Sequence, residues 1–91
     1  MEYKKQTETL MDAYWFAEHG MTYVAISLVG EAFDNYTEFY SFYLTESNKE
    51  YALFDDHFVD WVAKIMILFY NGKCSHDEQI MVNLTAKSLN L

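Results

Sequence analysis

Apolar and polar residues alternate with different periods along the chain. In "TETLMDAYWFAEHG" the apolar positions Leu10, Met11, Tyr14, Trp15 and Ala17 recur at helical spacing. Thr9 and Asp12 stand at capping-box spacing and Gly20 suits the position after a helix, so a first helix is predicted over about residues 6 to 19. "MTYVAISLV" is rich in β-branched residues and ends at Gly30, which reads as a strand. "YTEFYSFYL" can wind as a helix with Tyr36, Tyr40 and Tyr43 on one side. Its density of aromatics and threonine, with no alanine, favours a second strand on a pleated surface.

After the polar turn "TESNKE", "YALF" supplies a short third strand and completes an antiparallel meander. Asp55 or Asp56 can cap a second helix, "HFVDWVAKIMILFYNGK", whose Phe58, Trp61, Val62, Ile65, Met66 and Phe69 form a wide apolar face. Val59, Ile67 and Leu68 leave it little polar surface, so it is central or lies against a partner, and Asn71 with Gly72 ends it. Ser75 and Glu78 repeat the capping-box spacing, with Asp77 and Glu78 matched to a helix dipole. The closing "QIMVNLTAKSLNL" is read as a third helix, although Ile80, Val82 and Leu84 also alternate as a strand would. The predicted fold is a single α+β domain over residues 1–91, a three-stranded antiparallel sheet flanked by about three helices in the order α-β-β-β-α-α.

Charge changes the picture because it is local. Residues 31 to 60 hold eight of the fourteen acidic residues and one lysine, a net of −7 against −2 for residues 1 to 30 and +1 for residues 61 to 91. These acids interleave with aromatic rings rather than with lysines. On a meander, Glu31, Asp34, Glu38, Glu46, Glu50, Asp55, Asp56 and Asp60 are expected to converge near one rim, and Phe39 and Tyr43 to lie on its outer face. Such an array of carboxylates presents negative charge much as a nucleic-acid backbone does, and it suits the lysines and arginines of a DNA-binding protein. The bland alternative is a solvated face that serves solubility.

Composition narrows the function classes. With 52% apolar residues and seventeen aromatics in 91 residues, the chain can fill one modest core without disulfides or metals. Its one cysteine, Cys74, forms no internal disulfide, and no segment reads as a membrane span or signal peptide, so a soluble cytoplasmic protein is expected. All six cations are lysines and the net charge is −8, which argues against direct nucleic-acid binding.

Candidate chemistry is sparse. "DDHFVD" sets Asp56, His57 and Asp60 together, but a helix start explains them without a metal. "CSHDE" places Cys74, His76 and Asp77 together as half a zinc site or an unsupported nucleophile pair. His19 sits where a helix C-terminus favours it. "DNYTEFYSFYLTE" opens like a calcium loop but lacks its glycine and final glutamate. No phosphate-cradling loop or hydrolase elbow occurs, so the expectation is a protein without catalytic residues, metal or cofactor.

The strings "SNKEYALF", "FYNGK", "DEQ" and "LTAKSLN", together with the predicted element order, resemble those of a small acidic anti-CRISPR family from prophages that inhibits the type II-A RNA-guided nuclease. The similarity covers mainly residues 46 to 90. It implies a DNA mimic whose acidic loop between the second and third strands covers the arginines that read the protospacer-adjacent motif. Carried over, Glu50 matches the glutamate ending that loop, and Asp77 and Glu78 match acids opening the third helix. Ser47, Asn48 and Lys49 stand where the family has an aspartate-glycine-asparagine run, and Met21 and Thr22 offer no counterpart to its first-strand acid.

The functional expectation is an acidic, DNA-mimicking inhibitor of a nucleic-acid-binding protein, most specifically an anti-CRISPR protein acting in the host cytoplasm on a guide-loaded nuclease. The expected contacts are Glu46, Glu50, Asp34, Asp77 and Glu78, with Glu38 and Tyr43 beside them. Two alternatives stand beside it. One is an immunity protein or antitoxin against a basic toxin. The other is an oligomerising module, such as a homodimer, held by the nearly all-apolar second helix.

Overall fold

The computed structural model describes residues 3–48 and 53–91, which hold five α-helices and, among the described residues, no strand. The predicted α+β meander is therefore overturned. Residues 1–34 and 35–91 form two compact units.

The first unit is a helical hairpin of α1 (Lys4–Glu18) packed along α2 (Thr22–Ala32). Thr7, Leu10 and Ala13 are the buried residues of α1, and Ala25, Val29 and Ala32 those of α2. Most of them are small, which lets two helix backbones approach closely. The turn between the helices is a Schellman motif. Gly20 adopts φ +77°, its N–H donates to the Ala17 carbonyl at 3.2 Å, and the Met21 N–H donates to the Phe16 carbonyl at 2.9 Å. Gly20 thus ends the helix as its sequence position predicts. The Thr9 capping box does not form: α1 begins at Lys4, and the Thr9 hydroxyl donates back to the Lys5 carbonyl at 3.0 Å from inside the helix.

Two predicted strands are helices. "MTYVAISLV" lies in α2, where Ala25, Val29 and Ala32 are buried at i, i+4 and i+7. Its β-branched residues lower helix propensity by only a few tenths of a kcal/mol each, roughly. Packing against α1 outweighs that penalty. "YTEFYSFYL" lies in α3 (Tyr36–Ser47), where Tyr36, Phe39 and Phe42 are buried. A strand buries alternate residues, whereas this segment buries every third. The Asn35 side chain caps it, accepting from the Glu38 N–H at 2.9 Å. Of the predicted third strand, Tyr51 and Ala52 lie outside the described residues, and Leu53 and Phe54 form a bend.

The second unit is a three-helix bundle of α3, α4 (Asp56–Tyr70) and α5 (His76–Ser88), each helix packed on the other two. Asp55 is the cap of α4, its carboxylate accepting from the Phe58 N–H at 2.8 Å. Asn71 and Gly72 form a type II turn after α4, with Gly72 at φ +75° and the Lys73 N–H donating to the Tyr70 carbonyl at 2.9 Å. Gln79 staples this turn, accepting from the Gly72 N–H at 2.7 Å and donating to Asn71 Oδ1 at 2.9 Å. Ser75 caps α5 as predicted, which settles "QIMVNLTAKSLNL" as helix.

Tyr36 ties the bundle together. Its fully buried ring meets Phe39 of α3 and Tyr70 of α4 edge-on, at centroid distances of 5.3 Å and 5.7 Å. Its hydroxyl donates to Thr85 Oγ1 of α5 at 2.8 Å, and Thr85 donates in turn to the Met81 carbonyl at 2.9 Å. Burial pushes the phenol up to about 12, with the Thr85 hydrogen bond pulling the other way.

Candidate functional site

The helices redistribute the acids that a meander would have gathered. Glu46 is 4% exposed, and its Oε1 accepts from the backbone N–H groups of Leu53 at 2.8 Å and Phe54 at 3.3 Å. It ties the last turn of α3 to the residues directly ahead of α4, so Glu46, expected as a contact residue, is buried in a structural role.

Glu78 is also engaged internally. Its Oε2 accepts from the N–H and the hydroxyl of Thr37, both at 3.1 Å, while Oε1 accepts from the Ser75 hydroxyl at 3.2 Å. One carboxylate thus serves the N-terminal turns of both α3 and α5. The Thr37 N–H above all, then the Thr37 and Ser75 hydroxyls, hold it below its ordinary pKa against an opposing effect of burial.

The other predicted residues are scattered. Asp34 is exposed between α2 and α3, and Asp77 is exposed in the first turn of α5. Glu38 is half-buried in the first turn of α3. Tyr43 is half-buried, its phenol raised by burial first and then by the Asp60 carboxylate and Tyr40. Phe39, expected on an outer face, is fully buried. Glu50 lies outside the described residues. Glu46 and the Glu78 contact at Thr37 sit at opposite ends of α3, nine residues or about 14 Å apart along its axis. They form no common rim.

The pairing of carboxylates with exposed aromatics occurs instead on α1. Glu8, Met11, Asp12, Trp15 and His19 are all exposed on the side opposite buried Leu10 and Ala13, with Met11 and Trp15 each 53% exposed. His19 Nδ1 donates to the Trp15 carbonyl at 2.7 Å, and the two rings stack at 4.0 Å. The imidazole thereby holds the indole against the end of the helix. Glu18 is exposed next to His19.

In the sequence Met11 and Trp15 mark only the helical spacing of α1, not the side it turns outward. The usable signal was the acids: Glu8 and Asp12 occupy the same helical side, and an apolar stripe threaded by carboxylates is an outward stripe.

Among the described residues, no three His, Cys, Asp or Glu side chains come together as a metal site, and no helix is long and apolar enough to cross a membrane. Cys74 is half-buried with its Sγ 3.7 Å from Gln79 Oε1. No protein-family model, curated protein or solved structure matches the chain.

Proposed function

We propose that the protein is an acidic binding protein that occupies a cationic surface of a nucleic-acid-handling protein, using the outward stripe of α1. The observation that carries this reading is the alternation of Glu8, Asp12 and Glu18 with exposed Met11 and Trp15 on one helix. Carboxylates along such a stripe can take charge-assisted hydrogen bonds from lysines and arginines that otherwise hold phosphates. Trp15 adds a large apolar face at small conformational cost, and an indole face also attracts a guanidinium. The net charge of −8 steers the approach to such a surface.

The anti-CRISPR version of this reading leaned on a loop between two strands. The described residues hold no strand, so that docking mode loses its support. A guide-loaded type II-A nuclease remains one cationic target to try. It belongs in the test because its channel and motif-reading arginines present the required chemistry.

The test is capture on immobilised protein followed by elution with heparin or duplex DNA at constant ionic strength. Partners bound through a phosphate-binding surface leave with the polyanion, and Glu8→Lys/Asp12→Lys captures much less of them. Retention of the partners in the presence of polyanion, or equal capture by the double variant, would remove the α1 stripe and the phosphate-site reading together. With the nuclease, inhibition is expected only when the protein is added before target DNA.

A further inference from the structure

The exposed seam of α5 has a feature unrelated to the α1 stripe. Asp77, Ile80, Leu84 and Lys87 are all exposed, Ile80 and Leu84 at 47% and 49%. Their spacing is 3-4-3. At about 100° per residue they fall within an arc of roughly 80°, on the side away from buried Val82 and Thr85.

This order is the same pattern read backwards with the charge reversed. If a second α5 is laid antiparallel on the first, with a two-fold axis passing level with Val82, Ile80 of one copy faces Leu84 of the other. Asp77 then faces Lys87 at both ends of the contact. The apolar pair sits at the centre and an opposite-charge pair closes each end, which is the layer pattern of an antiparallel coiled-coil seam. The antiparallel arrangement also sets each helix N-terminus beside the partner's C-terminus, so the dipoles agree with the side-chain charges. A parallel pairing would stack Asp77 on Asp77 and Lys87 on Lys87.

We infer that α5 is a self-association surface whose occupant is a second copy of this chain, bound antiparallel through Ile80 and Leu84 and keyed by Asp77 and Lys87. A two-fold contact is self-complementary by necessity, and the reversed charge order of this seam supplies that complementarity. Two apolar residues per copy place the contact below the standard interface size, so the dimer is a weak one.

The experiment is sedimentation equilibrium of the full chain from roughly 10 µM to roughly 1 mM, where an interface of this class associates. Wild type is expected to approach dimer mass over that range. Asp77→Lys and Lys87→Asp each oppose like charges at both ends, and each weakens self-association by about tenfold or more. An equimolar mixture of the two restores the dimer as a heterodimer, because every end then pairs opposite charges. Lys87→Gln, which leaves the N-terminal charges of α5 untouched, weakens association on its own. Circular dichroism checks that each variant keeps its helices. A wild type that stays monomeric at the highest concentration overturns the inference, and so does a mixture that associates no better than either variant alone.

Discussion

Replacing Glu46 with alanine is expected to destabilise the three-helix unit. The carboxylate is 4% exposed and accepts two backbone N–H groups, from Leu53 at 2.8 Å and Phe54 at 3.3 Å. A hydrogen bond to a charged group contributes about 1.5–3 kcal/mol, and a buried donor left without an acceptor costs about 1–3 kcal/mol. The Leu53 bond is short but part-buried, so water can replace some of it. The Phe54 bond is buried but long, so it carries less than a full share. Together they place Glu46→Ala at about 2–4 kcal/mol of destabilisation, and Glu46→Gln, which keeps an acceptor oxygen, at about 1 kcal/mol. For a unit of this size the alanine variant should lower Tm by about 10 °C or more. Urea unfolding followed by Trp61 fluorescence in a Trp15→Phe background reads the second unit alone, since Trp15 and Trp61 are the two tryptophans. Lys64→Ala, exposed on α4 of the same unit, is the control and should stay within about 0.5 kcal/mol of wild type. An alanine variant as stable as that control would show that the Glu46 hydrogen bonds contribute nothing to the fold.

Three further outcomes follow from particular groups. The Tyr36 phenol is raised to about 12 from an ordinary 10.0, so the folded state holds that proton longer than the unfolded chain does. The associated stability is complete below pH 10 and declines as pH rises from about 10 to about 12, by about 2 kcal/mol, and Tyr36→Phe should remove this alkaline decline when urea midpoints are measured across that range. Glu78 is shifted the opposite way, chiefly by the Thr37 N–H, so its contribution is present above the ordinary carboxylate pKa and lost as pH falls through the lowered one. Glu78→Gln should flatten the acid limb of the stability profile, and an unchanged limb would mean that the Thr37 contacts do not persist in solution. Gly20→Ala places a Cβ where nothing lies within 4 Å, at φ +77°, so its cost of about 1 kcal/mol is a backbone term alone. Gly20→Asn, which tolerates that conformation better, should recover part of it in a thermal melt.

Helix ends were legible because they depend on local chemistry. Gly20, Asp55, Asn71 with Gly72, and Ser75 with Glu78 all act where their residue types predict, whereas the Thr9 box does not form; α4 buries Phe58, Val62, Ile65 and Met66 of its predicted face and leaves Phe69 exposed. α2 and α3 were misread because composition was weighed above period. Threonine, tyrosine and valine favour strands by what they pack against, and here they pack on helices. In α3 the spacing of Tyr36, Phe39 and Phe42, with Asn35 directly ahead of them and Glu38 three residues after Asn35, already carried a helical register and an N-cap. The bond from Thr37 to Glu78 spans 41 positions and had no local signature.

Acidic density along a sequence is not acidic density on a surface, and the difference explains why the candidate site moved. On a strand pair, the acids between residues 31 and 60 would have pointed alternately to one face and stayed neighbours. Wound into helices and turns, they are sorted by role. Asp55 is spent on the N-terminus of α4 and Glu46 on two backbone donors, while Asp34 and Asp56 stay at the surface. α1 carries fewer acids, but Glu8 and Asp12 sit one helical turn apart on the same outward side as Met11 and Trp15. Spacing against the helical period, more than count, decides which carboxylates a partner can meet together.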